Sequence, residues 1–325
     1  MIKHESKIIL GDACKILAAM PANSVSACIT DPPYNYEFIG HKWDPKEIER
    51  RVNRASAVES RTLVKNIPYG SHLAGGVRDK RWYARIQENI NSYQEWCFSW
   101  AQPLFDACCP GAPVAVFNST RTVAHVQIAL EKAGFYARDI LVYRRHSGIP
   151  KGLNISAKLR KKNDPSADDW QGWHSCFRNE WEAIVLVQKP LDRNYETTIE
   201  KFGIGLFNTV NDDGSFASNI IEGISNRRGS NKNLHVNEKP LALMQKLVTS
   251  LVPKNSDITI VDPFCGSGTT LVAAKMHGVN YVGIDIDPKC ISLANERLAE
   301  PIDLLSFNIE APTQSFQKSI EVELS

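Results

Sequence analysis

Residues 257–286 read DITIVDPFCGSGTTLVAAKMHGVNYVGIDI. An apolar run leads into a turn carrying Gly266 and Gly268. A helical stretch, TTLVAAKMHG, follows, and a second apolar run closes on Asp285. Strand, glycine turn, helix and strand in this order describe two parallel strands joined by a crossover helix. Glycine lets backbone approach a ligand closely, and the free N–H groups of the helix start face it. A dehydrogenase fingerprint needs glycine at position 271, where Leu271 stands, and a P-loop needs a Gly-Lys pair that is absent. The turn is therefore a nucleotide-type site of another kind. Asp285 lies 17 residues beyond Gly268. An acidic residue at the carboxyl end of the neighbouring strand suits a ribose diol.

The same alternation extends through the chain. Strands are predicted at KIIL (7–10), SVSACIT (24–30), APVAVF (112–117), FYARDILVYRR (135–145) and EWEAIVLVQKP (180–190). Amphipathic helices are predicted at ACKILAAM, TRTVAHVQIALEKAG, KPLALMQKLVTSLVP and PKCISLANERLAE. Another, SYQEWCFSWAQPLFDACCPG, is expected to kink or begin near Pro103 and to stop at Gly111. The architecture this implies is α/β, a mainly parallel sheet covered by helices on both faces. From 36 to about 91 the periodicity fails in favour of Arg, Gly, Asn and Ser.

At 30–35 the chain reads TDPPYN. Two prolines end the strand SVSACIT and leave a carboxylate, a carbonyl and an aromatic ring at its tip. Both this motif and the glycine turn sit at carboxyl ends of strands, the edge where open α/β sheets bind ligands.

Composition narrows the class. In 325 residues, 43% hydrophobic and 23% charged, no apolar run reaches the roughly 18 residues of a membrane span. The opening MIKHESKIIL has no secretory core, so a cytoplasmic protein is expected. Eight cysteines without a CxxC pair argue against a zinc site or a disulfide framework. The net charge is only +2, yet residues 138–162 hold Arg138, Arg144, Arg145, Lys151, Lys158, Arg160, Lys161 and Lys162 against Asp139 alone. Such a run reads either as a solvated loop or as a phosphate-contact surface.

TDPPYN resembles the catalytic motif of the S-adenosylmethionine-dependent amino-methyltransferases that modify exocyclic amines of DNA bases. DPFCGSGTT resembles their cofactor loop, and NEKPLALMQKLV (237–248) the segment before it. IILGDACKIL is similar to their lead-in to the catalytic strand. Catalytic motif first and cofactor motif last is the order of the beta group. The likeness is clear over 235–299, moderate over 7–35 and 96–146, and loose over 36–95 and 147–234. It implies a Rossmann-like, circularly permuted seven-stranded sheet in one catalytic domain spanning 1–325. The two loosely matching ranges would then be target-recognition insertions.

The resemblance assigns Asp31, Pro32, Pro33 and Tyr34 to catalysis. It places Asp12 and Ala13 near the cofactor adenine, although Asp12 also reads as a helix N-cap. Asp262, Phe264, Gly266, Ser267, Gly268 and Thr269 would form the cofactor loop, and Asp285 and Ile286 the ribose side. Lys239 and Pro240 would close over the cofactor. Cys265 reads as a small packing residue within the loop.

The chemistry fits the motif. An amine conjugated to its ring is a poor nucleophile. Donating its N–H groups to the Asp31 carboxylate and the Pro32 carbonyl frees its lone pair for a methyl group. Tyr34 would stack on a base flipped out of the duplex, and no metal is called for. Lys42, Arg78, Lys80, Arg81, Arg85 and the 144–162 cluster are candidate DNA contacts. Trp43, Trp82, Trp170 and Trp173 are candidates to wedge or stack, with core packing the favoured reading of each.

Asp at the head of the motif favours adenine-N6 over cytosine-N4 methylation. An RNA or protein amide methyltransferase more often carries Asn there, and a silent nucleic-acid-binding module would show degraded motifs. Double-stranded DNA is the expected partner. A homodimer and a separate restriction endonuclease remain open.

Overall fold

The computed structural model describes residues 6–34, 80–145, 153–211, 213–224 and 239–300. Its strands, in chain order, are β1 Lys7–Leu10, β2 Ala27–Thr30, β3 Pro113–Asn118, β4 Tyr136–Arg144, β5 Trp181–Gln188, β6 Ile220–Ile221, β7 Thr259–Asp262 and β8 Asn280–Asp285. They form one sheet in the order β1-β8-β7-β2-β3-β5-β4-β6. Five of the seven pairings are parallel; β5 alone runs antiparallel, to both β3 and β4. The described residues thus give eight strands rather than the expected seven. The addition is β6, a two-residue strand on the edge of β4, too short to carry a period-2 signal.

Every residue of β2, β3 and β7 is buried. Such strands need cover on both faces, which is why they read as continuous apolar runs. The helices are α1 Ala13–Ala18, α2 Lys80–Ala107, α3 Val123–Lys132, α4 Ile155–Arg160, α5 Tyr195–Phe202, α6 Leu241–Leu251, α7 Thr269–His277 and α8 Pro288–Ala299. One group is α1, α2 and α3, which pack on one another; α6, α7 and α8 form a second packed group. The α2 helix runs through Pro103 instead of starting there. It buries Tyr93, Cys97, Trp100, Ala101 and Leu104, a stripe at helical spacing. That much apolar contact outweighs the roughly 3 kcal/mol that an internal proline costs.

The connection is permuted as the resemblance implies. Although β2 comes early and β7 late, they are neighbours, with Ala27 opposite Ile260 and Cys28 opposite Val261. This adjacency sets TDPPYN beside the glycine turn. Range 147–234 is not one insertion, because it supplies β5 to the middle of the sheet. Within it, 153–180 stands outside the sheet, carries α4 and includes a bridge between Asn154 and His174. Most of 36–95 lies outside the described residues, and α2 begins within it.

Candidate active site

The glycine turn leaves β7 and is held from below and from the side. Asp262 is 3% exposed. Its Oδ1 accepts from the Thr30 hydroxyl at 2.7 Å and from the Phe264 N–H at 3.1 Å. One carboxylate thereby ties the end of β2 to the start of the turn. Burial pushes its carboxyl up to about 7, against hydrogen bonds from Thr30 and Thr270, while Asp31 adds to the rise. Phe264 is fixed by aromatic contacts to Trp96 and Trp100, at centroid distances of 5.6 and 5.7 Å. Gly268 adopts φ +80°, and a Cβ there would stand 2.9 Å from Ala294 Cβ. Arg297 Nη1 donates to the Ser267 carbonyl at 2.8 Å and to the Ser267 hydroxyl at 2.9 Å, clasping the turn from α8.

Asp285 ends β8. Its Oδ2 accepts from the Gly266 N–H at 2.8 Å and its Oδ1 from the Asp287 N–H at 2.9 Å. Burial raises its carboxyl pKa, opposed by these two N–H groups. Each carboxylate oxygen still has a lone pair for a diol. The Gly11 N–H donates to the Asp285 carbonyl at 2.9 Å, which brings the end of β1 alongside. Asp12 caps α1, accepting from the Lys15 N–H at 3.0 Å. Ala13 is buried at the start of that helix, and Ile286 is 39% exposed.

TDPPYN leaves β2 directly opposite. Tyr34 donates a short hydrogen bond to Asp31 Oδ1. Lys239 Nζ reaches Asp31 Oδ2 at 2.8 Å and donates to the Tyr34 hydroxyl at 2.7 Å. Burial raises the Asp31 carboxyl, and Lys239 and Tyr34 pull it back down. The Tyr34 phenol is held far above its usual pKa by burial and by Asp31. Pro33's carbonyl accepts from the Tyr93 hydroxyl at 3.3 Å, and Asn118 in turn donates to that hydroxyl at 2.8 Å. The Pro32 carbonyl accepts no hydrogen bond from the described residues.

Asp31, Lys239, Asp262, Phe264, Gly266, Ser267 and Thr269 line one cleft, joined by Met244, Cys265, Thr270 and Cys290. Its empty space, open mouth included, is about 620 Å³. Asp12, Ala13, Pro240, Gly268, Asp285 and Ile286 support or flank this cleft without lining it. Pro240 precedes α6 as its cap. Lys239, expected to close over a cofactor, lines this cleft and puts its ammonium on Asp31 and Tyr34. Burial holds the Cys265 thiol far above its usual pKa and that of Cys290 at about 12, so neither is a nucleophile at neutral pH.

Three contributions escape the strand-end rule. Glu182 and Arg145 reach the site, with Arg145 Nη1 at 2.9 Å from Glu182 Oε1 and Lys239 Nζ at 3.2 Å from Glu182 Oε2. Tyr93, deep in α2, braces the diproline. Arg145, with 37% of its side chain exposed, pairs with Glu182, and Arg144 pairs with Glu222. Lys158, Arg160, Lys161 and Lys162 are exposed, and Arg160 pairs with Asp168 at 2.7 Å. Trp170 and Trp173 are not core residues: they are 45% and 62% exposed and pack only edge to face on each other. Segment 153–180 buries only Ser156 and Ala167, so it has no core to receive them. Lys42, Trp43 and Arg78 lie outside the described residues, as do the side chains of Lys80, Arg81, Trp82 and Arg85.

A family model described as DNA methylase matches residues 25–296. The chain belongs to this family, the N6/N4 DNA methyltransferases. Type II methyltransferase M.HindIII of Haemophilus influenzae is 29% identical over 300 residues, covering 86% of this chain and 90% of that protein. Type II methyltransferase M.HpaI of Haemophilus parainfluenzae is 23% identical over 298 residues, covering 90% and 74%. Among solved structures, a putative DNA modification methylase from Thermus thermophilus, complexed with S-adenosyl-L-methionine, has a TM-score of 0.55 and 19% identity, covering 90% of this chain and 93% of that one. The cytosine-N4-specific PvuII DNA methyltransferase has a TM-score of 0.58 and 14% identity, covering 92% and 88%. At these identities the structural likeness speaks for the fold.

Proposed function

We propose that this DNA methyltransferase transfers a methyl group to the exocyclic N6 amine of an adenine flipped out of double-stranded DNA. The carrying observation is that Asp31 shares its cleft with Phe264, Gly266, Ser267 and Thr269. S-Adenosylmethionine, when bound, supplies an electrophilic methyl group on a sulfonium. The turn suits it: the space above Gly266 is open for 4 Å, Phe264 offers a fixed ring, and Asp285 keeps acceptor capacity. Asp285→Ala should weaken cofactor binding by roughly 1–3 kcal/mol, the cost of leaving buried donors unpaired. Isothermal calorimetry giving equal affinities for the two proteins would remove Asp285 from the site.

On the substrate side, Asp31 and the Pro32 carbonyl accept the two N–H groups of the amine. Asp31 also balances the positive charge that grows on nitrogen during transfer. Two consecutive prolines, braced by Tyr93, hold these acceptors with little entropy left to lose. Tyr34 supplies a stacking face for the base. Among the described residues, no group of three His, Cys, Asp or Glu side chains is placed to hold a metal. No described helix is long and apolar enough to cross a membrane. The two Haemophilus relatives carry type II names, so this chain is read as the modification enzyme of a type II system.

Segment 153–180 is read as part of the DNA-facing surface, since it exposes basic residues beside Trp170 and Trp173. Replacing Lys158, Arg160, Lys161 and Lys162 together with Ala should weaken binding on every DNA sequence alike. The slope of log affinity against log salt should flatten by up to about 0.9 for each phosphate no longer neutralised. Fluorescence anisotropy at several salt concentrations measures it, and an unchanged slope would make the run a solvated loop. Adenine is favoured because Asp heads the motif, as in the adenine enzymes it resembles; cytosine-N4 is the alternative outcome.

A further inference from the structure

We infer that Glu182 is a positioning residue for methyl transfer: it shares Lys239 with Asp31 and takes the lysine over when the target amine binds Asp31. The inference rests on the reading of Asp31 as the acceptor of that amine.

In the structure each Asp31 oxygen already has a donor against it. Tyr34 donates to Oδ1, and Lys239 sits 2.8 Å from Oδ2. An amine donating to Asp31 competes with these donors for the same carboxylate. Lys239 is the donor with somewhere else to go. Its Nζ is 3.2 Å from Glu182 Oε2, and that oxygen is buried yet accepts no aligned hydrogen bond. A small movement of the ammonium would satisfy Oε2 and release Asp31 Oδ2. A buried carboxylate oxygen left without a donor is costly, so the movement has a driving force of its own. The receiving group is already fixed, because Arg145 Nη1 holds Glu182 Oε1 at 2.9 Å.

The fold explains how Glu182 reaches the site. Asp31 and Asp262 come from the carboxyl ends of parallel strands, but β5 is antiparallel and presents its amino end at that edge. Glu182 is its second residue, opposite Tyr143 of β4. Lys239 comes from just before α6, 12% exposed and 5.0 Å from the centre of the Phe117 ring. The ammonium is therefore confined between two carboxylates with little water to compete. Asp31 faces Tyr34 on its own segment, Lys239 before α6, Glu182 on β5 and Asp262 on β7. Burial raises the Asp31 carboxyl, Lys239 and Tyr34 lower it, and Glu182 raises it.

Two measurements on the full chain test this. The first is a melting cycle over wild type, Asp31→Asn, Glu182→Gln and the double variant. If the carboxylates share one lysine, each single change leaves Lys239 an anionic partner and the double leaves none. The double variant should then lose more melting temperature than the two singles together. Additive losses would overturn the sharing, and this readout needs no activity. The second is kinetic, with tritiated S-adenosylmethionine and unmethylated DNA. In Glu182→Gln, Lys239 stays on Asp31 and competes with the amine. kcat should fall by up to roughly 10²-fold, the scale of a misplaced functional group, with cofactor KM unchanged. The acid limb of the kcat profile should move to lower pH, because Asp31 loses a neighbouring negative charge. Glu182→Asp should recover part of the rate. A fall in kcat without movement of the limb, or no fall at all, would make Glu182 merely structural. Wild-type protein that transfers no methyl to any DNA would instead count against the proposed reaction, and the melting cycle would still decide whether the lysine is shared.

Discussion

Asp31→Ala is expected to lower methyl transfer by roughly 10³-fold, the scale of losing a principal stabiliser of developing charge. Cofactor affinity should stay near the wild-type value. The geometry separates the two effects. Asp31 leaves β2 and touches Tyr34 and Lys239, whereas the cofactor turn is tied by Asp262, Arg297 and Asp285. Removing Asp31 leaves Lys239 its Glu182 partner, so no buried ammonium is stranded. Tritiated-methyl incorporation and calorimetric titration with S-adenosylmethionine, on the same preparation, read both. Near-normal turnover would remove Asp31 from the chemistry.

The second large effect belongs to the turn itself. Gly268→Ala should lower the melting temperature by on the order of 10 °C and weaken cofactor binding with it. The residue sits at φ +80°, where a side chain costs about 1–3 kcal/mol. The new Cβ would also lie 2.9 Å from Ala294 Cβ and 3.3 Å from Ala294 Cα. Both atoms belong to α8 and cannot swing aside as a flexible side chain could, so overpacking adds roughly another 1–3 kcal/mol. Gly266 is the control. Its φ is +49°, and nothing lies within 4 Å of an added Cβ. Gly266→Ala carries the same left-handed strain without that contact, so it should melt between wild type and Gly268→Ala. Equal melting temperatures for the two variants by scanning calorimetry would show that contact with α8 does not constrain the turn.

Much of this was legible in the residues because two signals are local. A strand, a glycine turn and a helix in sequence fix β7, the turn and α7, and the acidic end of β8 fixes Asp285. A strand stopped by two prolines fixes Asp31. What was not legible depends on pairing at long range. Glu182 is an acid at the start of an apolar run, and its direction follows from the antiparallel setting of β5. Arg145 lies inside a basic run and turns inward only because Glu182 stands beside it. Tyr93, Trp96 and Trp100 have the spacing of an ordinary core stripe; that the stripe meets Phe264 and Pro33 depends on how α2 lies against the sheet. Trp170 and Trp173 misled in the other direction. Large apolar rings usually mark a core, but the segment that carries them has too little buried material to make one.

The most direct test of the central claim is the chemical identity of the product. Unmethylated DNA is treated with the purified protein and S-adenosylmethionine, digested to nucleosides and separated by mass spectrometry. Asp31 and Pro32 could accept the amine of either base, so the base itself must be observed. A purine also offers Tyr34 more stacking area than a pyrimidine does. N6-methyladenine as the main product is the expected result. N4-methylcytosine as the main product would contradict the adenine assignment and place discrimination elsewhere than in Asp31, and DNA with no methylated base would contradict the proposed reaction itself.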